Sequence, residues 1–473
     1  MTMKHKLSFL LQVVIIAFAI LHFFTAVVDV PALVHALSVG GLLVLLFSTL
    51  HHSISRLKLP LSLFLIGLFI LKYANVPLLN GALQGIIQMR DMVGLLIVIP
   101  LISWVLREEP YVEDIMAYFH KFITTSRRFY FGLNAFTQII AYFLLFGSIP
   151  MMYQFVQIIL KEQTGEAWEN FKGTAILRGF ALSTLWVISI PSFIYAVETL
   201  NASLWKTILQ GLMIAILATC LAVFFGWRQE KRYGVNLTPV LKEALASLVQ
   251  QASRPEIQRK KVIEFMWLFV TLFGSIVFIH VIFHVKLMLV IPNVIIVWTI
   301  VFYMYKRRLK RLRHVLRIYV KKDLPHQSYQ LSVMLAVGVL IYALNQTNFA
   351  QQVVDGLYQL QIYLPFLNVL YLLPFIIIIL GLFSLGPLTV MVLVAGILEH
   401  MAIPFPPELI VLAITSGSAI SIVISPLIMP VIVLSASNRL SLWKNGFKFN
   451  YKFAIALYIL VQLYIQTIVY VWL

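Results

Sequence analysis

The stretch TSGSAISIVISP, residues 415–426, sets Thr415, Ser416, Gly417, Ser418, Ser421 and Ser425 into an aliphatic run that ends on Pro426. A second stretch, STLWVISIP at 183–191, places Ser183, Thr184 and Ser189 ahead of Pro191 in the same way. Proline removes a backbone donor and clashes with the preceding helical turn, so each proline is expected to free carbonyl groups. Carbonyl and hydroxyl oxygens suit a hard cation, and an exposed helix N-terminus attracts an anion. The two clusters therefore read as halves of an ion-coupled solute site. Any one serine could instead bond back to its own helix or pack against a neighbour. It is the duplication that favours a site.

Catalysis is not expected. No histidine lies in the last helix, 452–473, and the chain has neither His-Glu-x-x-His nor Gly-x-Gly-Asp. His280 and His284 have metal-binding spacing but no third ligand, so no metal is expected. The lone Cys220 excludes an intramolecular disulfide and any multi-cysteine metal site.

The solvent around these clusters follows from composition. Of 473 residues 61% are hydrophobic and 11% charged, and apolar runs long enough to cross a bilayer recur throughout, which predicts an all-α polytopic membrane protein. The first run, 7–28, has no small-residue cleavage site and is read as a retained helix. The net charge of +18 is concentrated. Of 36 Lys and Arg, 31 fall in seven segments near 1–7, 51–58, 107–130, 161–174, 227–262, 305–326 and 436–452, which the positive-inside rule assigns to the cytoplasm. The densest, YKRRLKRLRHVLRIYVKK at 305–322, reads as an amphipathic helix on anionic headgroups. Membrane lipids, and not nucleic acid, are the expected partners of this charge.

Counting crossings between basic loops exposes a parity problem. Helices near 7–28, 32–50, 58–74 and 91–107 return the chain inside at 107, yet three apolar stretches, 131–160, 175–200 and 204–226, separate two cytoplasmic loops. One stretch must enter and leave on the same side. The expected re-entrant hairpin is 131–160, with Gly147, Ser148 and Pro150 at its tip. In the second half, helices near 263–285, 287–304 and 330–346 leave the chain outside, and 364–400 must be the second hairpin, with Ser384, Gly386 and Pro387 at its tip.

The chain thus divides into an extra N-terminal helix (1–31), a first repeat (32–226) with broken helix 175–200, a cytoplasmic linker (227–262), and a second repeat (263–473) with broken helix 408–434. Both copies reach Ser-Leu-Trp-Lys, at 203–206 and 441–444, before a last helix. Opposite hairpin entry makes this an inverted repeat. The expected fold has about 11 transmembrane helices and two hairpins in the cytoplasmic membrane, with the N-terminus inside and the C-terminus outside.

This order of elements resembles the ion transporter superfamily, in particular its divalent anion/sodium symporters. The resemblance spans residues 32–473 and includes interfacial segments at 110–123 and 348–363. It implies a homodimer, elevator-type alternating access, and site residues at the hairpin tips and broken helices. Those symporters carry Ser-Asn-Thr at both tips; here the tips read Gly147-Ser148-Ile149-Pro150 and Ser384-Leu385-Gly386-Pro387, with only Ser148 and Ser384 as hydroxyls. The expected function is secondary transport of a small anionic solute, with no cofactor and with Na⁺ as coupling ion. All 18 acidic residues can be placed at loops or helix ends, which disfavours a buried-acid proton route. Arg178 could complement an anion, but snorkelling to the cytoplasm is the favoured expectation. A lipid or polyprenyl-phosphate flippase is the alternative function.

Overall fold

The computed structural model describes residues 3–28, 30–119, 124–160, 163, 165–234, 236–243, 255–364, 368–383, 385–401 and 403–472. Among them all regular structure is helical. Nine helical runs are long and apolar enough to cross a bilayer, or ten if a bent pair forms one span. A polytopic membrane fold follows from length and composition alone.

Along the chain, α1 (Met3–Thr25), α2 (Pro31–His51) and α3 (Ile54–Tyr73) come first. Proline at N1 opens α2, where its missing N–H costs nothing. The crossing expected at 91–107 begins earlier: α4 (Leu78–Gln88), α5 (Arg90–Val98) and α6 (Pro100–Leu106) form one path bent by 46°. Asp91 is therefore inside a helical path and not at its end.

Next come α7 (Tyr111–Phe119), α8 (Ser126–Leu144), a 3-10 turn (Leu145–Gly147), α9 (Ser148–Ile159), α10 (Glu166–Ser183), α11 (Pro191–Thr199) and α12 (Leu204–Arg232). The second half holds α13 (Pro255–Phe283), α14 (Leu287–Tyr305), α15 (Leu309–Ile318), α16 (Leu324–Asn345), α17 (Phe349–Tyr363), α18 (Val369–Leu382), α19 (Pro387–Leu398), α20 (Pro407–Ile424), α21 (Met429–Asn438) and α22 (Phe449–Trp472). α7 and α17 fall on the two expected interfacial segments. α15 buries no residue, which agrees with an amphipathic surface helix. His284 lies beyond the end of α13 with φ of 52°, so the helical His280–His284 pair does not form.

The chain gathers into two compact units, each drawing on both halves of the sequence. Unit 1 comprises Met1–Val105, Ser275–Phe366 and Val392–Ile403. Within it α16 packs against α2, α3, α4 and α5. Glycines let these backbones meet: a Cβ on Gly85 would stand 2.5 Å from the Cα of Val339, and one on Gly338 would stand 2.3 Å from the Gly85 carbonyl oxygen. The α4–α5 path runs antiparallel to α16, since Gly85 meets Val339 while Gln327 donates to the Leu96 carbonyl at 3.3 Å.

Unit 2 comprises Leu106–Gly274, Leu367–Met391 and Pro404–Leu473, and holds both broken helices. Its interior is aromatic in the first half, with Tyr142 and Phe143 packed on Phe269. α10 packs on α8, α9, α12 and α20, and α20 packs on α18 and α22.

Candidate functional site

The direction of the helices around α10 decides the shape of the first cluster. Phe129 stacks on Phe171, Asn134 donates to the Ala175 carbonyl, and Ser189 donates to the Tyr142 carbonyl. Partner numbers rise together, so α8 runs parallel to α10. Beyond the turn, Phe146 meets Phe180 at 5.5 Å and the Tyr153 hydroxyl donates to Glu169 at 2.7 Å. These numbers fall as the others rise, so α9 runs back along α10. The chain reverses at Leu145, whose φ of 47° is a left-handed conformation that a branched side chain rarely adopts.

In the second half α18 lies parallel to α20 in the same way. A Cβ on Gly417 would stand 2.8 Å from the Cα of Pro374 and from the Cβ of Ile377, and Ser425 donates to the Gly381 carbonyl at 3.0 Å. The first half has the matching contact: a Cβ on Gly179 would stand 2.6 Å from the Asn134 carbonyl oxygen and 3.0 Å from the Cβ of Thr137. In both places a glycine of the broken helix sits on residues i and i+3 of the preceding arm. In both places a serine within the break ties the end of that arm.

The breaks themselves differ from the sequence expectation. Pro191 opens α11 at N1, and the chain is non-helical before it, so Pro191 starts a helix and does not interrupt one. Pro430 likewise lies in the first turn of α21, while Pro426 lies within the second break between Ile424 and Met429. The breaks are therefore the short segments 184–190 and 425–428, in which the carbonyls of Val187, Ile190 and Ile428 still accept backbone hydrogen bonds.

Most candidate hydroxyls are already used. Ser148 bonds the Leu145 carbonyl, Ser183 that of Phe180, Thr184 that of Ala181, Thr415 that of Leu412, and Ser416 that of Ala413. For these five the helix-bonded reading holds. Ser418 and Ser421 are different: both are buried, and neither Oγ has a hydrogen-bond partner among the described residues. They lie three apart on α20, on one helical face. The Ser421 Oγ stands where a Cβ on Gly381 would be. No hydrogen bond joins the hydroxyls of the first cluster to those of the second among the described residues.

At the tips, Pro150 lies in the first turn of α9 and Pro387 opens α19. Gly386 has open space around its Cα, and Ser384 lies outside the described residues. Near Gly147, the exposed guanidinium of Arg107 stands 3.6 Å from the position a Cβ would take.

Arg178 corrects the expectation of snorkelling. It is fully buried on α10, donating to Asn450 at 2.9 Å, Tyr130 at 3.1 Å, and the carbonyls of Phe449 at 3.0 Å and Ala222 at 3.3 Å, with Phe453 below its plane. Four hydrogen bonds are thereby made to dipoles that belong to three helices, α8, α12 and α22. Such a group holds helices together and has little capacity left for a solute.

Two buried polar groups escaped the sequence reading. Asn134, Gln138, Thr219 and Trp186 close a hydrogen-bonded cluster between α8, α12 and the first break. The signal was the i, i+4 pair of amides in an apolar helix. Lys172, assigned to a cytoplasmic loop, is instead 2% exposed on α10, where it pairs with Glu169 and lies over the Tyr153 ring. At the start of α10, Lys444 at 2.8 Å and Lys448 at 3.3 Å hold the Glu166 carboxyl below the usual carboxylate range.

No protein-family profile and no curated protein sequence matches this chain.

Proposed function

We propose that the chain is a secondary active transporter for a small anionic solute, coupled to Na⁺, with unit 2 as its moving, substrate-carrying part. The observation that carries this reading is the pair of unpartnered, buried hydroxyls of Ser418 and Ser421, two turns and one turn before a helix break in an apolar helix. Hydrocarbon does not tolerate free carbonyls and hydroxyls, so such a place is packed by protein or filled by a polar ligand. The contacts that recur in the two halves, at Gly179 and Gly417 and at Ser189 and Ser425, support an inverted repeat. The reversal of α9 along α10 supports a re-entrant first hairpin. Arg107 beside Gly147 supplies a cation where an anion would approach the tip.

The reading retains the cytoplasmic N-terminus, the external C-terminus and an elevator motion of a homodimer as proposals that follow from the family resemblance. A lipid flippase is the second reading. It is favoured by a groove of about 670 Å³ lined by Tyr371, Tyr458, Gln462, Leu463, Gln466 and Tyr470, an amphiphilic lining suited to an acyl chain beside a polar group.

The test is uptake into proteoliposomes. Radiolabelled succinate, citrate, sulfate and phosphate are offered under an inward Na⁺ gradient, with and without a proton ionophore, to wild type and to Ser418→Ala/Ser421→Ala. Sodium-driven uptake of one anion, lost in the double variant at equal reconstitution, is the expected result. Uptake of none, together with scrambling of a fluorescent phospholipid, would replace the transporter reading by the flippase.

A further inference from the structure

Unit 1 contains a buried histidine facing a carboxylate at a helix bend. His22, on α1, is fully buried, and neither ring nitrogen has a hydrogen-bond partner among the described residues. Its Nδ1 stands 3.8 Å from Oδ1 of Asp91, an oxygen that is itself buried and without a hydrogen-bond partner. The ring lies directly over Gly94, where a Cβ would stand 2.4 Å from the imidazole Cδ2, so a glycine admits the histidine. One turn before Asp91, the Gln88 Oε1 is buried and unpartnered as well. Four unmatched polar atoms thus gather around one bend.

The place within the unit follows from the helices. Gln12 donates to the carbonyl of Lys321 at 3.3 Å, which pins α1 to the basic turn at 319–323. His22 is ten residues further along α1, about 15 Å at 1.5 Å per residue, and one turn before α1 ends at Thr25. Asp91 is the second residue of α5, just past the bend that follows α4.

The charges around His22 can be named helix by helix. From α5 come Asp91 and Arg90, whose Nε is 3.5 Å from the same Asp91 oxygen. On α2, His35 is exposed and His51 is in the last turn. α16 brings His326 in its first turn, and the basic turn brings Lys321, Lys322 and Asp323 at the level of Gln12. No third His, Cys, Asp or Glu completes a metal-binding group among the described residues.

We propose that His22 and Asp91 form a proton-binding site within unit 1. The imidazole takes up one proton and pairs, as imidazolium, with the Asp91 carboxylate, beside which the Arg90 Nε stands at 3.5 Å. Intramembrane ionisable residues commonly mark proton pathways, and histidine is the side chain suited to titrate between pH 5 and 8. This goes beyond the transport reading, which needs no titrating group and places its ions in unit 2.

Purified full-length protein in detergent, taken from pH 8 to pH 5 in weakly buffered solution with an indicator dye, should bind about one proton more per chain than His22→Gln. In Asp91→Asn the same uptake should move by about one pH unit or more, because the opposing charge is gone. An equal proton count in wild type and His22→Gln would overturn the proposal. Should His22→Gln fail to fold, selectively ¹⁵N-histidine-labelled wild type is read instead. A buried imidazole that changes protonation between pH 8 and pH 5 supports the site, and one that stays in a single state refutes it.

Discussion

Ser425 donates its hydroxyl to the carbonyl oxygen of Gly381 at 3.0 Å, tying a helix break to the last turn of the arm that runs beside it. Ser189 does the same to Tyr142 in the other half. Both carbonyls lie in buried surroundings, so removing the donor leaves an unsatisfied acceptor. Ser425→Ala and Ser189→Ala should each lower stability by about 1–3 kcal/mol. Thermal denaturation of the purified variants checks this, and a melting point equal to wild type would show the bonds to be incidental.

Gly417 and Gly179 set the distance between broken helix and arm. A methyl group at Gly417 meets backbone at 2.8 Å, and backbone cannot swing away as a flexible side chain can. Gly417→Ala should cost about 1–3 kcal/mol by overpacking. Gly132 on α8 is the control, since nothing lies within 4 Å of its Cβ position. Gly132→Ala should be neutral or stabilise by about 0.5–1 kcal/mol through helix propensity. Equal melting points for the two variants would contradict the close approach.

Arg178 should behave as a structural residue. Arg178→Lys keeps the charge but cannot serve Asn450, Tyr130 and two carbonyls on three helices at once. Folded protein recovered from membranes should fall several-fold, while Tyr130→Phe, which loses one bond of the set, should cost only about 1 kcal/mol. A well-folded Arg178→Lys with altered solute affinity would instead place the guanidinium in the binding site.

The Glu166 cluster gives a pH dependence. Its carboxyl titrates lower in the folded chain than in the unfolded one, because Lys444 and Lys448 bond the ionised form. The stabilisation is therefore complete above the unfolded pKa and disappears as pH falls through the folded value. Exposure and screening limit it to about 1 kcal/mol or less. Wild type should melt slightly above Glu166→Gln at pH 7, and the gap should narrow as pH falls below the ordinary carboxylate range. A gap unchanged between pH 7 and pH 3 would rule out the ion pairs as its source.

Topology is testable by accessibility. In a Cys220→Ala background, single cysteines at Gln163 and Asn201 should react with an impermeant maleimide from the cytoplasm and from outside respectively. Gln163 follows the reversed helix α9, and Asn201 follows α11. Labelling of position 163 from outside would make 126–159 a full crossing.

The sequence by itself determined the solvent of this protein and the order of its helices. Apolar runs, basic loops and the parity between them are one-dimensional quantities, and they located α8–α9, α10–α11, α18–α19 and α20–α21 as pairs interrupted by a break. Proline chemistry and hydroxyl content likewise singled out the polar stretches at 183–191 and 415–426. What a hydroxyl bonds to is not one-dimensional. Only the tertiary structure separated Ser418 and Ser421 from Ser183, Thr184 and Ser416, because back-bonding depends on rotamer and neighbour. Only the structure showed that Pro191 and Pro430 each lie in the first turn of a helix, while Pro426 lies in a break. Arg178 and Lys172 read as surface cations because a charge in an apolar chain is expected at the interface. Their burial depends on carbonyl, amide, hydroxyl and carboxylate partners, several of them 44 to 272 residues away in sequence. Asp91 was misplaced for a simpler reason. Gly81, Gly85, Gln84 and Gln88 dilute the apolar signal of α4, and helix packing against α16 supplies what that local signal lacks.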